Sequence, residues 1–179
     1  MQYNIFLASS IVELAHDRDA VGNFVRKMND ALRDVEGDHY LHLFICELED
    51  AAMSPEGKQM QYNRHLQNCH LFVNLYFNKA GEFTLQELEA AKQARQNKAV
   101  PELLILFRVK DCDGILWQPD GSIPALKDRL QAEGLPYLAY EDVDHVKLEL
   151  LKWLQQANQN LPISIDGRVG RIGSRVVIR

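Results

Sequence analysis

Glu87 is the residue whose type and place most directly suggest chemistry. It follows the apolar run Cys69–Phe77 and the loop Asn78-Lys79-Ala80-Gly81-Glu82-Phe83, early in a segment with helical periodicity. A carboxylate there is open to two readings. It can act on a substrate at the mouth of a crevice. As the last member of the capping-box spacing Thr84-Leu85-Gln86-Glu87, it can instead satisfy a backbone amide. Phe77 and Phe83 bracket the same loop, either as hydrophobic staples or as walls on which a flat ring stacks. A second group follows the first apolar run: Ala8, Ser9 and Ser10, with Asp17 and Arg18 one to two turns into the next helix. Ser10 and Glu13 have capping-box spacing. Arg18 is either solvated and salt-bridged or able to reach an anionic ligand.

Other chemistries lack their signatures. There is no Walker A sequence, no GxGxxG, no HExxH and no pair of CxxC motifs, so no metal is expected. Ser9 and Ser10 lack the G-x-S-x-G context of a hydrolase elbow. His65 and His70 read as surface residues. His39 and His42 have no nearby cysteine to activate. Glu47, Glu49, Asp50 and Glu56 make an acidic, solvated loop.

The elements that must position these residues alternate along the chain. Strands are expected at Tyr3–Ser9, Leu41–Leu48, Cys69–Phe77, Leu103–Val109 and Pro136–Tyr140. Helices are expected at Ser10–Val35, Gln59–Gln67, Thr84–Asn97, Ser122–Ala132 and Asp142–Ala157, with Gly37 and Gly134 as stops. Five βα units in series build a parallel sheet with helices on both faces. The first, third and fourth strands are nearly continuous apolar runs, as central strands should be. The second alternates, and the fifth is short and begins at Pro136, so both suit edges. The order 2-1-3-4-5 follows: a doubly wound α/β sheet whose switch point lies between strands 1 and 3. Ligands bind such sheets outside the carboxyl ends of the strands at that point, which is where the Ser9 and Glu87 loops are placed.

Length and charge set the remaining bounds. The chain has 179 residues, 46% apolar and 25% charged, enough for one cored domain. No apolar run approaches the roughly 18 residues of a membrane span. The N-terminus has no basic region before its apolar run, so no signal peptide is expected. The net charge of −5 divides into +3 over residues 161–179 and −8 before them. An acidic body disfavours nonspecific nucleic-acid binding. Cys46, Cys69 and Cys112 are odd in number and far apart, which suggests free thiols and a cytoplasmic setting. Residues 1–160 are read as the domain. Residues 161–179 are read as a basic tail: a hairpin of Ile163–Asp166 with Val169–Ile178, or the start of a following module. Deletion of residues 163–179 is expected to leave cooperative folding intact.

Taken together, these residues resemble a TIR (Toll/interleukin-1 receptor-like) domain of the bacterial kind. Tyr3-Asn4-Ile5-Phe6-Leu7-Ala8-Ser9 is similar to the family's first-strand box. Phe83-Thr84-Leu85-Gln86-Glu87-Leu88 is similar to its W-C-x-x-E-L segment, with Glu87 at the catalytic glutamate. Gln59-Met60-Gln61-Tyr62-Asn63 matches a Q-x-x-Y-N motif after the second strand. Of the family's R-D-x-x-P-G, Ser54-Pro55-Glu56-Gly57 keeps the proline and glycine, and the late F-W box is missing.

The resemblance implies a flavodoxin-like fold and cleavage of the nicotinamide–ribose bond of NAD, giving nicotinamide with ADP-ribose or a cyclic isomer. NAD is then substrate rather than cofactor. Glu87 is the implied catalytic residue, and Phe6, Ser9, Ser10, Arg18, Phe77, Phe83 and Tyr62 are expected around the substrate. Self-association with other TIR domains is also implied, with the loop Glu49–Gly57 of a neighbouring chain completing the site. So is coupling to a sensor module in bacterial defence or signalling. Two alternatives stand beside this reading: a non-catalytic assembly module, and a nucleoside deoxyribosyltransferase-like enzyme.

Overall fold

The computed structural model describes residues 1–45, 64–111 and 118–179. Its main sheet is parallel and five-stranded, in the order β2-β1-β3-β4-β5. The strands are β1 (Gln2–Ser9), β2 (Tyr40–Ile45), β3 (Leu71–Tyr76), β4 (Glu102–Arg108) and β5 (Leu138–Tyr140). The expected order and switch point are both present. All six residues of β3 are buried, as its unbroken apolar run requires, whereas β2 and the three-residue β5 form the edges. The strand expected to run to Leu48 is described as far as Ile45.

Four named helices cover the two faces: α1 (Ala15–Leu32), α2 (Glu82–Lys98), α3 (Ser122–Ala132) and α4 (Val143–Ala157). Strand pleating divides the core. Tyr3, Ile5, Leu7, Leu71 and Val73 pack with α1 and α4, while Phe6, Ala8, Phe72 and Tyr76 pack with α2 and α3. Residues 64–68 are also helical. No helix among the described residues is long and apolar enough to cross a membrane.

Helix boundaries depart from the sequence expectation at two points that matter for the site. Ser10 does cap, its Oγ accepting from the Glu13 amide at 3.2 Å, but it caps a turn over residues 11–14. The helix proper starts at Ala15 and ends at Leu32, three residues before Val35. Helix α2 starts at Glu82 rather than Thr84, with Gly81 at its N-cap and no side-chain cap.

The C-terminal segment folds into a separate antiparallel sheet of β6 (Ile163–Asp166), β7 (Val169–Ile172) and β8 (Arg175–Ile178). It lies outside the parallel sheet, as expected, but as three strands rather than a hairpin, with a turn at Gly173. The register partners Ile163 and Ile172, with Val177 and Ile178 at the end of β8, join the same core as α1 and α4. Lys27 of α1 donates to the Val177 carbonyl at 2.9 Å, and Arg175 pairs with Asp34. A side chain at Gly170 would run into Leu151 of α4, so glycine there permits the close approach. The segment is therefore packed onto the core rather than appended to it.

Candidate active site at the carboxyl edge of the sheet

Helical geometry accounts for the burial of Glu87. It lies three residues after Thr84 and four before Ala91, both buried, so it borders the inward face of α2 and is itself half-buried. Burial pushes its carboxyl up to about 7, against the opposing pull of the Arg18 guanidinium. The capping alternative does not hold. The helix begins at Glu82, so Glu87 is in the second turn, beyond the amides that lack intrahelical partners. Thr84 is correspondingly a buried helical residue and not an N-cap.

Arg18 reaches this region from the other face of the sheet. It is 6% exposed, and its Nη1 donates to Ser9 Oγ at 2.9 Å and to the Ser9 carbonyl at 3.3 Å. Ser9 ends β1, buried beside β3, so the guanidinium is anchored at the switch point. Arg18 of α1, fixed on Ser9, and Glu87 of α2 are thus within electrostatic reach of each other, a buried cation and a carboxyl that burial pushes up to about 7.

The other residues expected around the substrate have mixed placements. Phe83 stands one helical turn before Glu87 on the same side of α2 and is 79% exposed. A staple would be buried, so Phe83 is left available to a ring from outside. Phe77 is turned to the α1–α4 face, with the Arg108 guanidinium 5.7 Å from its ring centre, and does not pair with Phe83 across the loop. Phe6 is fully buried between Phe44 and Phe72, at centroid distances of 5.1 and 5.7 Å. Its place in the first-strand box reflects the core, and it cannot touch a substrate. Ser10 is occupied in its turn. Tyr62 and the loop Glu49–Gly57 lie outside the described residues.

The loop after β3 is held by the segment before α3. Ser122 Oγ accepts from the Ala80 amide at 2.9 Å, and the Asp120 amide donates to the Asn78 carbonyl at 2.9 Å. Asp120 also accepts from the hydroxyl and amide of Ser122, which hold its carboxyl below the usual range. Lys79 is thereby carried on a braced loop, which leads into the first turn of α2 and Phe83.

Two buried polar groupings were not singled out from the sequence. On β3, Asn74 Nδ2 donates to the Tyr76 hydroxyl at 2.9 Å, beneath α2. Burial pushes the Tyr76 phenol up, Asn74 opposes that, and the Glu87 charge adds to the rise. At the ends of β4 and β5, Arg108 and Tyr140 converge on Asp17 of α1. Arg108 Nη1 lies 2.6 Å from Asp17 Oδ1, and the Tyr140 hydroxyl donates to Oδ2 at 2.8 Å. An arginine closing the apolar run Leu103–Phe107 was the available signal, since it stands at the carboxyl edge where ligands bind. The thiol of Cys69 is buried and pushed up to about 12, so it is a packing residue and not a nucleophile.

No family model matches the chain, and no curated protein matches it in sequence. Among solved structures, the chain is similar in fold to a CMP N-glycosidase, BcmB, of Clostridium botulinum. The TM-score is 0.54 at 13% identity, over 86% of this chain and 99% of that one. At that identity the likeness concerns the fold: a five-stranded parallel sheet in flavodoxin-like order with helices on both faces.

Proposed function

We propose that the chain is a hydrolase that cleaves the N-glycosidic bond of a nucleotide, with NAD as substrate and Glu87 as the working carboxylate, in the manner of a TIR domain. The observation that carries this reading is the placement of Glu87: half-buried, free of any capping duty, poised near neutral pH, and facing a buried arginine at the switch point. In the reaction the bond from the ribose C1′ to the nicotinamide nitrogen breaks, and its electron pair leaves with the ring. Nicotinamide departs neutral, so no proton donor is required. The ribosyl group passes through an oxocarbenium-like state, which an ionised Glu87 stabilises across a short, desolvated distance. Water then adds at C1′ and its proton passes to Glu87 or solvent, giving ADP-ribose. Addition of a hydroxyl from the same nucleotide gives a cyclic isomer instead. Arg18 suits an anionic part of the substrate, and Phe83 offers a face for a flat ring.

The likeness to a CMP N-glycosidase favours a second reading, a glycosidase or deoxyribosyltransferase-like enzyme acting on a simpler nucleotide or nucleoside. An uncharged base is a poor leaving group, so Glu87 would then serve as the acid that protonates it. The two readings differ in the sign of their pH dependence. NAD cleavage rises with pH through about 7 as Glu87 ionises, whereas cleavage of a neutral base falls over the same range. The test is incubation of the full chain with NAD, CMP and a deoxynucleoside panel, with products separated by chromatography. Nicotinamide release lost in Glu87→Gln supports the first reading, and free cytosine from CMP the second. No turnover of any of them returns the chain to the non-catalytic alternative.

A further inference from the structure

Arg18 can serve the site only if the helix that carries it starts in one fixed place. Helix α1 has no side-chain cap, because Leu14 precedes its first residue. Asp17 supplies the anchor instead. Its carboxylate, 1% exposed, is held by Arg108 at 2.6 Å and by the Tyr140 hydroxyl at 2.8 Å. Arg108 and Tyr140 are register partners at the ends of β4 and β5, so both approach from one edge of the sheet. Arg108 is itself oriented by the Lys110 carbonyl, which accepts from its Nε at 2.7 Å, and by the Phe77 ring beneath it. Adjacent helical residues point about 100° apart. With Asp17 pinned toward β4 and β5, the next side chain is turned toward the end of β1, where Arg18 is found on Ser9.

A buried ion pair contributes little net stability compared with apolar residues of the same volume, but it is strict about geometry. We propose that Asp17 is a positioning residue: its lock with Arg108 and Tyr140 sets the start of α1 so that the Arg18 guanidinium is delivered to Ser9 at the switch point, on the side where Glu87 stands. This rests on the reading of Glu87 as the working carboxylate. Among the described residues, the ionisable groups whose charge couples to Glu87 are Arg18 from α1 and Tyr76 from β3, and Glu89 and Arg129 act on Tyr76 in turn.

The test is direct titration of the Glu87 side-chain carbon by nuclear magnetic resonance in the full chain, assigned by its loss in Glu87→Gln. The limb of kcat/KM that Glu87 governs is measured alongside, the acidic limb if NAD is cleaved and the basic limb if a nucleotide with a neutral base is cleaved. Arg18→Gln sets the ceiling, an upward shift of about one unit for loss of a nearby opposite charge. Tyr140→Phe changes no charge, so a shift reports position alone; a rise of about half a unit is expected. Asp17→Asn gives a sharper contrast. Deleting a negative charge by itself draws Glu87 down, whereas release of Arg18 raises it, and a rise is expected. The double variant Asp17→Leu/Arg108→Met should reach the Arg18→Gln value while melting within a few degrees of the parent. An unchanged or lowered Glu87 titration in Tyr140→Phe and the double variant overturns the proposal, as does an unmoved Arg18→Gln. The titration needs no turnover, so it decides the positioning role even if no nucleotide is cleaved and the enzymatic reading fails.

Discussion

At the scale of single residues, Glu87 carries two separable consequences. Its carboxyl titrates near 7 in the folded chain, against about 4.5 for a fully solvated glutamate. Between those values the folded state holds a proton that the unfolded state has released. Stability linked to this group is therefore fully present below about pH 4.5 and is lost as pH rises through about 7. Glu87→Gln removes that loss, since the amide never charges. At pH 8 the variant should melt about 5 °C above the parent, and at pH 5 the two should nearly coincide, as read by thermal scans at both values. Under the proposed function the same substitution removes the charge that steadies the oxocarbenium-like state. NAD cleavage should fall by about 10²–10³ in an initial-rate assay. A variant that is more stable and much less active separates a functional carboxylate from a structural one. Glu89→Gln, whose parent side chain pairs with Lys92 and Arg129 on the surface, should leave the rate near that of the parent.

At the scale of elements, helix α2 decides which of its side chains can meet a ligand. Its start at Glu82 puts Phe83 in the first turn, where nothing covers 79% of the residue. An exposed phenylalanine contributes little to folding, so Phe83→Ala should change stability by less than about 0.5 kcal/mol. If the ring stacks on the substrate, loss of ~1 kcal/mol of stacking raises KM roughly fivefold with kcat nearly unchanged. A steady-state comparison of the two constants checks this. A fall in kcat alone would instead tie Phe83 to the placement of Glu87 one turn later.

For the whole molecule, the C-terminal sheet revises the view of a dispensable tail. Ile163, Ile172, Val177 and Ile178 are all buried against α1 and α4. Each contributes roughly 1.5–3 kcal/mol by leaving water, and their sum is comparable to the 5–15 kcal/mol that typically holds a domain together. A chain ending at Pro162 should therefore lose its cooperative thermal transition and expose apolar surface, seen as dye binding and a broad melt. The positive charge of this segment is also partly taken up within the fold. Arg175 pairs with Asp34, and Arg168 lies 3.5 Å from Asp142, which leaves Arg171 and Arg179 exposed.

The primary sequence determined what depends on periodicity and composition along the chain. Continuous apolar runs against alternating ones distinguished central strands from edges, and that fixed the sheet order and the switch point. The placement of Ser9 and Glu87 at that point followed, because strand ends are local features once the order is known. Tertiary structure decided everything that depends on which side chains meet. The spacing Thr84–Glu87 is the same whether the helix starts at Thr84 or Glu82, so only the folded backbone could show that Glu87 is not a cap. Phe6 and Phe77 were aromatic residues near the right strands, and the pleat alone sent one into the core and the other beneath Arg108. The terminal strands looked separable because their period breaks with the helices before them. Their buried face became visible only once α1 and α4 were in place to receive it. The contact of Asp17 with Arg108 and Tyr140 spans 91 and 123 residues of chain, a separation at which no local pattern carries information.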